Sequence, residues 1–312
     1  MLLVSKVYAR SRKQPEDFGY LHIAMKFQND PVDVIIISKE NKRRSRKPLL
    51  FFCQDNLPQP LIRYDANGLH PVLPFDEQPF LDAFHIAIAA APFIPVIADA
   101  TTLAENATYY KDEKTKLPPR QYSERNFLDY HVARNNFIVK QLARERWADS
   151  RNIVVAGHAD GATVAAKMAV NNHKISHLIY SGGNPYGKIL SQLAENPEER
   201  QNVLAQWRNA ANRDHAHATH PKPVYDFSQP QGQLLLGLGI PVLVCYDLWT
   251  HAAPYHDLLQ VEAIRLQKEN FRFITYTSMH DFAGVVGHGS DDYDQYRWEK
   301  RASDWRHWLS HA

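Results

Sequence analysis

The sequence predicts an α/β protein with a mostly parallel β-sheet, and two patterns carry that prediction. Short, fully apolar runs, typical of buried parallel strands, alternate with amphipathic helical segments along the chain. The N-terminal segments instead follow one another across short polar turns, as antiparallel strands do. We therefore expect a parallel sheet with antiparallel strands at its N-terminal edge and helices on both faces.

The N-terminal edge is predicted from three apolar segments, at residues 2–9, 20–27 and 32–38. A basic run, Lys42–Lys47, follows them. With no second basic patch in the chain, a solvated connection between two strands explains this run better than a nucleic-acid site does. The next segment, residues 48–53, is apolar throughout and is expected to be the first buried parallel strand.

The rest of the chain keeps the alternation of strand and helix, with one interruption. Residues 80–98 are expected to begin with a short helix or strand and to continue into a buried strand that ends near Ala98. Further strands are expected near residues 153–155, 175–180, 240–246 and 271–276. Helices are expected at residues 126–147, at 255–268 and around Trp298, Ala302, Trp305 and Leu309. Residues 99–125 are predicted to form a long polar loop. Between residues 186 and 239 the alternation stops: two helices are expected near 189–193 and 203–207, and residues 221–230 show no period.

One stretch, residues 151–168, combines a strand, a sharp turn and a helix of small residues. The β-branched run Ile153–Val155 enters the sequence GHADG at 157–161, and alanines recur through the helix that follows. The two glycines suit a turn whose apex is strained and lies close to neighbouring backbone. Ala159 stands at that apex, and its side chain has no group that can act as a nucleophile.

This stretch resembles the nucleophile elbow of the serine α/β-hydrolases, G-x-Nuc-x-G, with Ala159 where the family has serine. The resemblance covers about residues 48–310 and includes the dienelactone-hydrolase and prolyl-peptidase branches of the superfamily. It implies the α/β-hydrolase fold, with residues 1–185 and 240–312 forming the core. It also implies that residues 186–239 form a helical cap over the site, and that the substrate is a small-molecule ester or amide.

The same resemblance implies where a catalytic histidine and acid would stand. His280 directly follows the last predicted strand and is the candidate general base, with His288 as the alternative. The spacing of the family places the acid at Thr250, which is not acidic. Asp247, immediately after its strand, is therefore the candidate acid, and Asp257 is the alternative.

For the oxyanion hole, the resemblance implies the backbone N–H of Asp160 and an N–H from the loop containing Asp55 and Asn56. In this loop Gln54-Asp55 replaces the His-Gly of the family, and a carboxylate there would oppose a developing negative charge. The candidate substrate contacts are Gln54, His158, Trp207 and Trp249.

Composition limits the classes of partner. The chain carries 36 basic and 34 acidic residues, so there is no electrostatic case for nucleic acid or for an anionic membrane. No apolar run is long enough to span a bilayer. Cys53 and Cys245 lie in apolar runs and are expected to be free thiols, which favours the cytoplasm. We expect no cofactor and no metal, and interpret His215, His217 and His220 as a solvated loop. The sequence leaves the oligomeric state open, and a homodimer is one possibility.

Two hypotheses for function follow. The first is a serine hydrolase, an esterase or amidase, represented by a form in which alanine replaces the nucleophile. The second is a natural pseudoenzyme or binding protein on the same fold. Under both, the chain with Ala159 is predicted to be inactive by the serine route. Metal-dependent hydrolysis through the histidines near 215–220 is a third and weaker hypothesis.

Overall fold

The computed structural model describes residues 13–70, 72–104, 108–112, 114–212, 222–277 and 290–312. Within these ranges the strands are, in chain order, Leu21–Phe27 (β1), Asp30–Ile37 (β2), Lys47–Cys53 (β3), Ile62–Asp65 (β4), Gly68–Leu69 (β5), His85–Ala89 (β6), Ile97–Asp99 (β7), Ala148–His158 (β8), Ile175–Ser181 (β9), Val242–Asp247 (β10) and Phe271–Tyr276 (β11). The first predicted segment, at residues 2–9, lies outside the described residues.

The α-helices of the described ranges alternate with the later strands. They are Arg120–Arg125 (α1), Leu128–Leu142 (α2), Asp160–Asn171 (α3), Lys188–Glu195 (α4), Arg200–Asn212 (α5), Lys222–Phe227 (α6), Gly232–Leu236 (α7), Ala253–Arg265 (α8) and Ser290–Leu309 (α9). None of the helices in this part of the chain is long and apolar enough to cross a membrane.

The main sheet has eight strands in the order β1-β2-β6-β3-β8-β9-β10-β11 within the described residues. The pairs from β6 to β11 are all parallel, whereas β1 pairs antiparallel with β2, and β2 pairs antiparallel with β6. The predicted α/β class, the mostly parallel sheet and its antiparallel N-terminal edge are thus confirmed.

Helices cover both faces of this sheet, as predicted. On one face, apolar residues of α2, α3 and α8 pack against alternate strand residues such as Phe51 and Val155. On the other face, α9 buries Ala302 and Trp305 against Val154 and Cys245. Because the central strands are buried on both sides, their sequences are apolar throughout and not alternating.

A second, three-stranded sheet, in the order β5-β4-β7, lies beyond the carboxyl end of β3. In it β4 pairs antiparallel with β5 and parallel with β7. The sequence did not predict this sheet, because its strands are only four, two and three residues long and show no clear alternation.

Residues 186–239 contain four helices in their described part, α4 to α7. The first two agree with the predicted pair near 189–193 and 203–207. The segment 221–230, which shows no clear period in sequence, contains the short helix α6, with a buried Phe227 in the main core. A helix of six residues is too short to show a helical period in sequence.

Candidate active site

The centre of the candidate site is the turn between β8 and α3, which lies at the carboxyl edge of the sheet. Ala159 has φ 50° and ψ −122°, a backbone conformation that residues other than glycine rarely adopt. The N–H of Ala159 donates to the carbonyl oxygen of Ser181 in β9 at 3.0 Å, so the turn is tied to the neighbouring strand. The chain therefore has the strained strand-turn-helix geometry predicted from its sequence.

Both glycines of the turn are needed because backbone approaches each of them. A Cβ at Gly157 would lie 2.1 Å from the carbonyl oxygen of Gly161. A Cβ at Gly161 would lie 2.2 Å from the carbonyl oxygen of Cys53, at the end of β3. The turn thus fits closely against the loop that follows β3.

The side chain of Asp55, in that loop, accepts two backbone hydrogen bonds beside the turn. Its carboxylate accepts the N–H of Asn56 at 2.8 Å and also the backbone N–H of Asp160. These two amides are the oxyanion donors that the sequence predicted. Both of these amides therefore already donate to a carboxylate of the same chain.

The environment of Asp55 opposes ionisation but does not prevent it. Burial, and then the negative charge of Asp160, raise the pKa of Asp55 to about 6, against the effect of its amide hydrogen bonds. Asp160 is itself only 6% exposed, and its carboxylate is paired with Lys188 Nζ at 2.6 Å. This part of the site therefore brings together two carboxyl groups and one lysine side chain.

Polar side chains on α1 and α2 fix the loop that carries Asp55. The hydroxyl of Tyr122 donates to the carbonyl oxygen of Asn56, and Asn126 Nδ2 donates to the same oxygen at 3.1 Å. His131 Nε2 in turn donates to Asn126 Oδ1 at 3.0 Å. Burial, and then the charge of Arg134, lower the pKa of His131 to about 3, so this ring is neutral at physiological pH. The loop is therefore anchored by uncharged groups.

A cavity of about 850 Å³ opens beside the turn, between the loop after β3, the three-stranded sheet and α9. Gln54, Asp55 and His158, three of the predicted site residues, line it together. Its aromatic walls come from Tyr20, Phe52, Phe75 and Trp298. A volume of this size is typical of sites for small organic ligands.

His158, the residue before the apex, has a defined position in this cavity. Its Nδ1 lies 3.0 Å from Ser181 Oγ, and its ring meets the ring of Trp298 edge-on at a centroid distance of 4.7 Å. A Cβ at Gly182, which has φ +62°, would lie 2.5 Å from the same imidazole. The histidine ring is therefore held between β9 and α9.

The candidate acid, Asp247, lies in a separate buried ion pair. Its Oδ2 accepts a hydrogen bond from Arg301 Nη2 of α9, and the two side chains are 4% and 1% exposed. The guanidinium of Arg301 also lies 4.9 Å from the ring centre of Tyr276. The alternative acid, Asp257, accepts the hydroxyl of Tyr246 at 2.6 Å. Thr250 Oγ1 donates to the backbone carbonyl oxygen of Asp247 at 2.9 Å.

The remaining predicted residues are not gathered at the cavity. Trp207 packs against Tyr225 at a ring-centroid distance of 5.5 Å, and Trp249 is 38% exposed after β10; neither lines the cavity. His280, His288 and the histidines at 215, 217 and 220 lie outside the described residues. Among the side chains that are described, no group of three His, Cys, Asp or Glu residues is arranged to hold a metal ion.

Sequence reasoning missed several residues that shape this site. Lys188 reaches Asp160 across 28 positions of sequence, and Arg301 reaches Asp247 across 54. Tyr122 and Asn126 anchor the Asp55 loop from α1 and from the residue after it. Nothing in local spacing marks such pairs. The one available signal was the unusual carboxylate of Asp55 beside the predicted oxyanion site.

Comparison with known proteins gives structural neighbours only. No protein-family model and no curated protein matches the sequence. Among solved structures, an acylaminoacyl peptidase of Pyrococcus horikoshii superposes with a TM-score of 0.53 at 14% identity, over 91% of this chain and 40% of its own. Porphyromonas gingivalis dipeptidyl peptidase 4 gives 0.53 at 11% identity, over 92% and 35%. A protein assigned as a dienelactone hydrolase of Klebsiella pneumoniae gives 0.51 at 11% identity, over 92% and 97%.

These neighbours share the α/β-hydrolase fold, and at such low identity the likeness shows the fold alone. This chain spans less than half the length of the two peptidases, and nearly the whole length of the dienelactone-hydrolase neighbour. The fold that the elbow sequence implied is thereby confirmed.

Proposed function

From the α/β-hydrolase fold of this chain and the carboxylate at its turn, we propose that the protein binds a small organic ligand without serine-dependent acyl transfer. One observation carries the proposal. The carboxylate of Asp55 accepts the hydrogen bonds of Asn56 N–H and Asp160 N–H that would otherwise stabilise an oxyanion. Ala159 offers no nucleophile in addition, so two separate requirements of the serine mechanism are unmet.

The electrostatics of the turn support this interpretation. In acyl transfer, negative charge develops on the carbonyl oxygen of the substrate, and two amide groups stabilise it. Here a carboxylate whose pKa is about 6 already occupies those amides, and it is largely ionised at neutral pH. A second anion at the same place would meet Coulomb repulsion in a partly buried environment, where the repulsion is weakly screened.

The second candidate is a serine hydrolase in which alanine has replaced the serine at position 159. It is favoured by the backbone at Ala159, which keeps φ 50° and ψ −122°, because strain of this kind usually persists for a function. In that protein His280 would act as general base and Asp247 as its acid, toward an ester, amide or peptide. The pairing of Asp247 with Arg301 and the position of Asp55 weigh against it.

Both candidates retain the predicted division of the chain, in which residues 186–239 form a cap over residues 1–185 and 240–312. The ion pair of Lys188 with Asp160 joins α4 of this segment to the first residue of α3. In the binding protein, the ligand would lie in the cavity beside the turn, which none of the described residues of 186–239 lines.

The two candidates are separated by restoring the hydroxyl. We expect Ala159→Ser to hydrolyse chromogenic esters no faster than background and to resist labelling by a fluorophosphonate probe. Labelling and turnover in Ala159→Ser, lost on His280→Ala, would support the serine hydrolase and overturn the binding protein. The double variant Ala159→Ser with Asp55→Asn adds a comparison. Activity in the double variant alone would mean that the carboxylate also blocks the chemistry.

Ligand binding itself can be measured with a neutral fluorescent probe, N-phenyl-naphthylamine. Leu57 lines the cavity, and Leu57→Trp should weaken binding of the probe about tenfold or more by filling part of that space. Leu117→Trp is the matched control, because Leu117 is 60% exposed and lies away from the cavity. Equal affinities in the wild type and both variants would contradict binding in this cavity.

A further inference from the structure

The cavity contains an arginine, Arg63, whose charge is not paired by any of the described residues. Arg63 lies on β4, between the buried Ile62 and the half-buried Tyr64, and it lines the cavity. Within the described part of the chain, its guanidinium has neither an ion pair nor a side-chain hydrogen bond. Burial lowers the pKa of Arg63, and no carboxylate acts on that pKa in the opposite direction. The half-buried charge is thus unpaired.

Other arginines of this protein show how the fold pairs a buried or half-buried guanidinium. Arg125 pairs with Asp30 at 2.6 Å, Arg134 donates to the carbonyl oxygen of Ala90 at 2.8 Å, and Arg301 pairs with Asp247. A charge removed from water without a partner is costly, and proteins usually supply one. Arg63 departs from this pattern at the wall of a ligand-sized cavity.

We propose that Arg63 binds the anionic group of the ligand, so that the ligand class is a small organic anion with an apolar body. This inference rests on the proposed ligand-binding function and narrows it. A carboxylate, sulfonate or phosphate ester would each present oxygens to the planar guanidinium. The apolar body would lie against the cavity walls formed by Phe52, Leu61, Leu73 and Phe75.

The acidic residues of the cavity define how such a ligand would be oriented. Asp55 is bound to the two amides at the turn, and Asp76 accepts the N–H of Gln78 at 3.0 Å. Burial raises the pKa of Glu77, and Glu299 of α9 also lines the cavity. The anion is therefore expected at β4, and the apolar end of the ligand toward the turn.

A pair of fluorescent probes tests the proposal, because they differ in one anionic group. Anilinonaphthalene sulfonate carries a sulfonate, and N-phenyl-naphthylamine has the same rings without it. We expect Arg63→Gln to weaken binding of the sulfonate probe by about 10- to 100-fold and to leave binding of the neutral probe unchanged. Arg44→Gln is the matched control, because Arg44 is exposed and does not line the cavity.

The possible results separate this inference from the function on which it rests. If the wild type binds neither probe, the proposed function fails, and the inference fails with it. If the wild type binds both and Arg63→Gln changes neither affinity, or both equally, the role of Arg63 is overturned while ligand binding stands. Should Arg63→Gln not fold, Arg63→Lys serves instead. That variant keeps the charge but not the planar fork, and is expected to lose part of the sulfonate affinity.

Competition identifies which anions the site accepts. We expect octanoate to displace the sulfonate probe, and octanamide, which has the same chain without the charge, to displace it poorly. Inorganic phosphate tests whether an anionic charge alone is enough to displace the sulfonate probe. Displacement by octanamide and octanoate at equal concentrations would contradict recognition of the anion.

Discussion

The turn and β4, which both contribute residues to the cavity, differ in whether their charged groups are paired. At the turn, Asp55 is satisfied by two backbone amides, and Asp160 is paired with Lys188. At β4, Arg63 is half-buried and has no such partner among the described residues. The carboxylates at the turn are thus paired within the protein, whereas Arg63, which lines the same cavity, is not paired within the described residues.

This difference assigns separate roles to the two ends. A polar group that is satisfied within the protein contributes to folding, because its removal leaves its partner unpaired. A group without a partner contributes little to folding, and its retention is explained by a ligand. We therefore expect substitutions at the turn to change stability, and substitutions at β4 to change binding.

The largest effect is expected from Gly161→Ala, which would break the turn end of the cavity. The new Cβ would lie 2.2 Å from Cys53 O and 2.9 Å from Gln54 O, both backbone atoms that cannot move independently. We expect the free energy of unfolding in urea to fall by about 4 kcal/mol or more. Gly239→Ala is the control, since nothing lies within 4 Å of its added Cβ. Similar losses in the two variants would mean that the turn is not closely packed.

Next in size is Arg301→Met, which removes the partner of Asp247 near the same edge of the sheet. A buried carboxylate that loses its cation typically costs about 3–5 kcal/mol. Lys300→Met is the control one position away. Lys300 is 49% exposed and pairs with Asp304 at 2.6 Å, and exposed pairs of this kind contribute about 0–1 kcal/mol. A loss in Arg301→Met no larger than that of the control would show that the buried pair is not structural.

Asp55→Asn should show its effect as a change in pH dependence. The pKa of Asp55 is raised from its ordinary value of 3.8 to about 6, so the folded state binds the proton more tightly than the unfolded chain does. Its contribution to stability is therefore present below about pH 4 and is lost as the pH rises to about 6. Asp55→Asn removes this loss of stability. At pH 7 we therefore expect the free energy of unfolding of Asp55→Asn to exceed that of the wild type by about 1–3 kcal/mol.

The control for this prediction is Asp82, whose pKa is shifted in the opposite direction. Hydrogen bonds from Lys39 and Lys42 lower the pKa of the exposed Asp82 to about 2, so its contribution is lost as the pH falls. Asp82→Asn should therefore leave the dependence between about pH 4 and about pH 6 unchanged. Urea unfolding across this range measures both variants. The raised pKa of Asp55 would be contradicted if the stability of the wild type rose from pH 4 to pH 6 and Asp55→Asn showed the same pH dependence.

The parts of the fold that the sequence predicted are those encoded locally. The apolar runs of β3 and β10 mark strands buried on both faces, and the spacing of Gly157 and Gly161 marks the strained turn. The three-stranded sheet was missed, because strands of two to four residues carry no periodic signal.

At the site, the sequence predicted which residues lie near the turn but not what they bind. Asp55 was expected to oppose an oxyanion, yet its bonding to both amides depends on how the loop after β3 folds against α3. The partners of Asp160 and Asp247 come from distant segments, and pairs of this kind follow from tertiary contact and not from spacing. Arg63 could not be identified at all, because a missing partner is visible only once the surrounding groups are placed.

The smallest effect on stability is expected from Arg63→Gln, and that result would sharpen the contrast between the two ends most directly. An unpaired, half-buried charge makes no stabilising contact within the described residues, and its removal relieves part of its desolvation cost, so Arg63→Gln should lower the free energy of unfolding by no more than about 0.5 kcal/mol. The matched variant is Arg125→Gln. Arg125 is also half-buried, but it pairs with Asp30 at 2.6 Å, and we expect a loss of about 1–3 kcal/mol. Equal losses in urea unfolding would assign Arg63 to the folding of β4 and remove the reason to expect a ligand beside it.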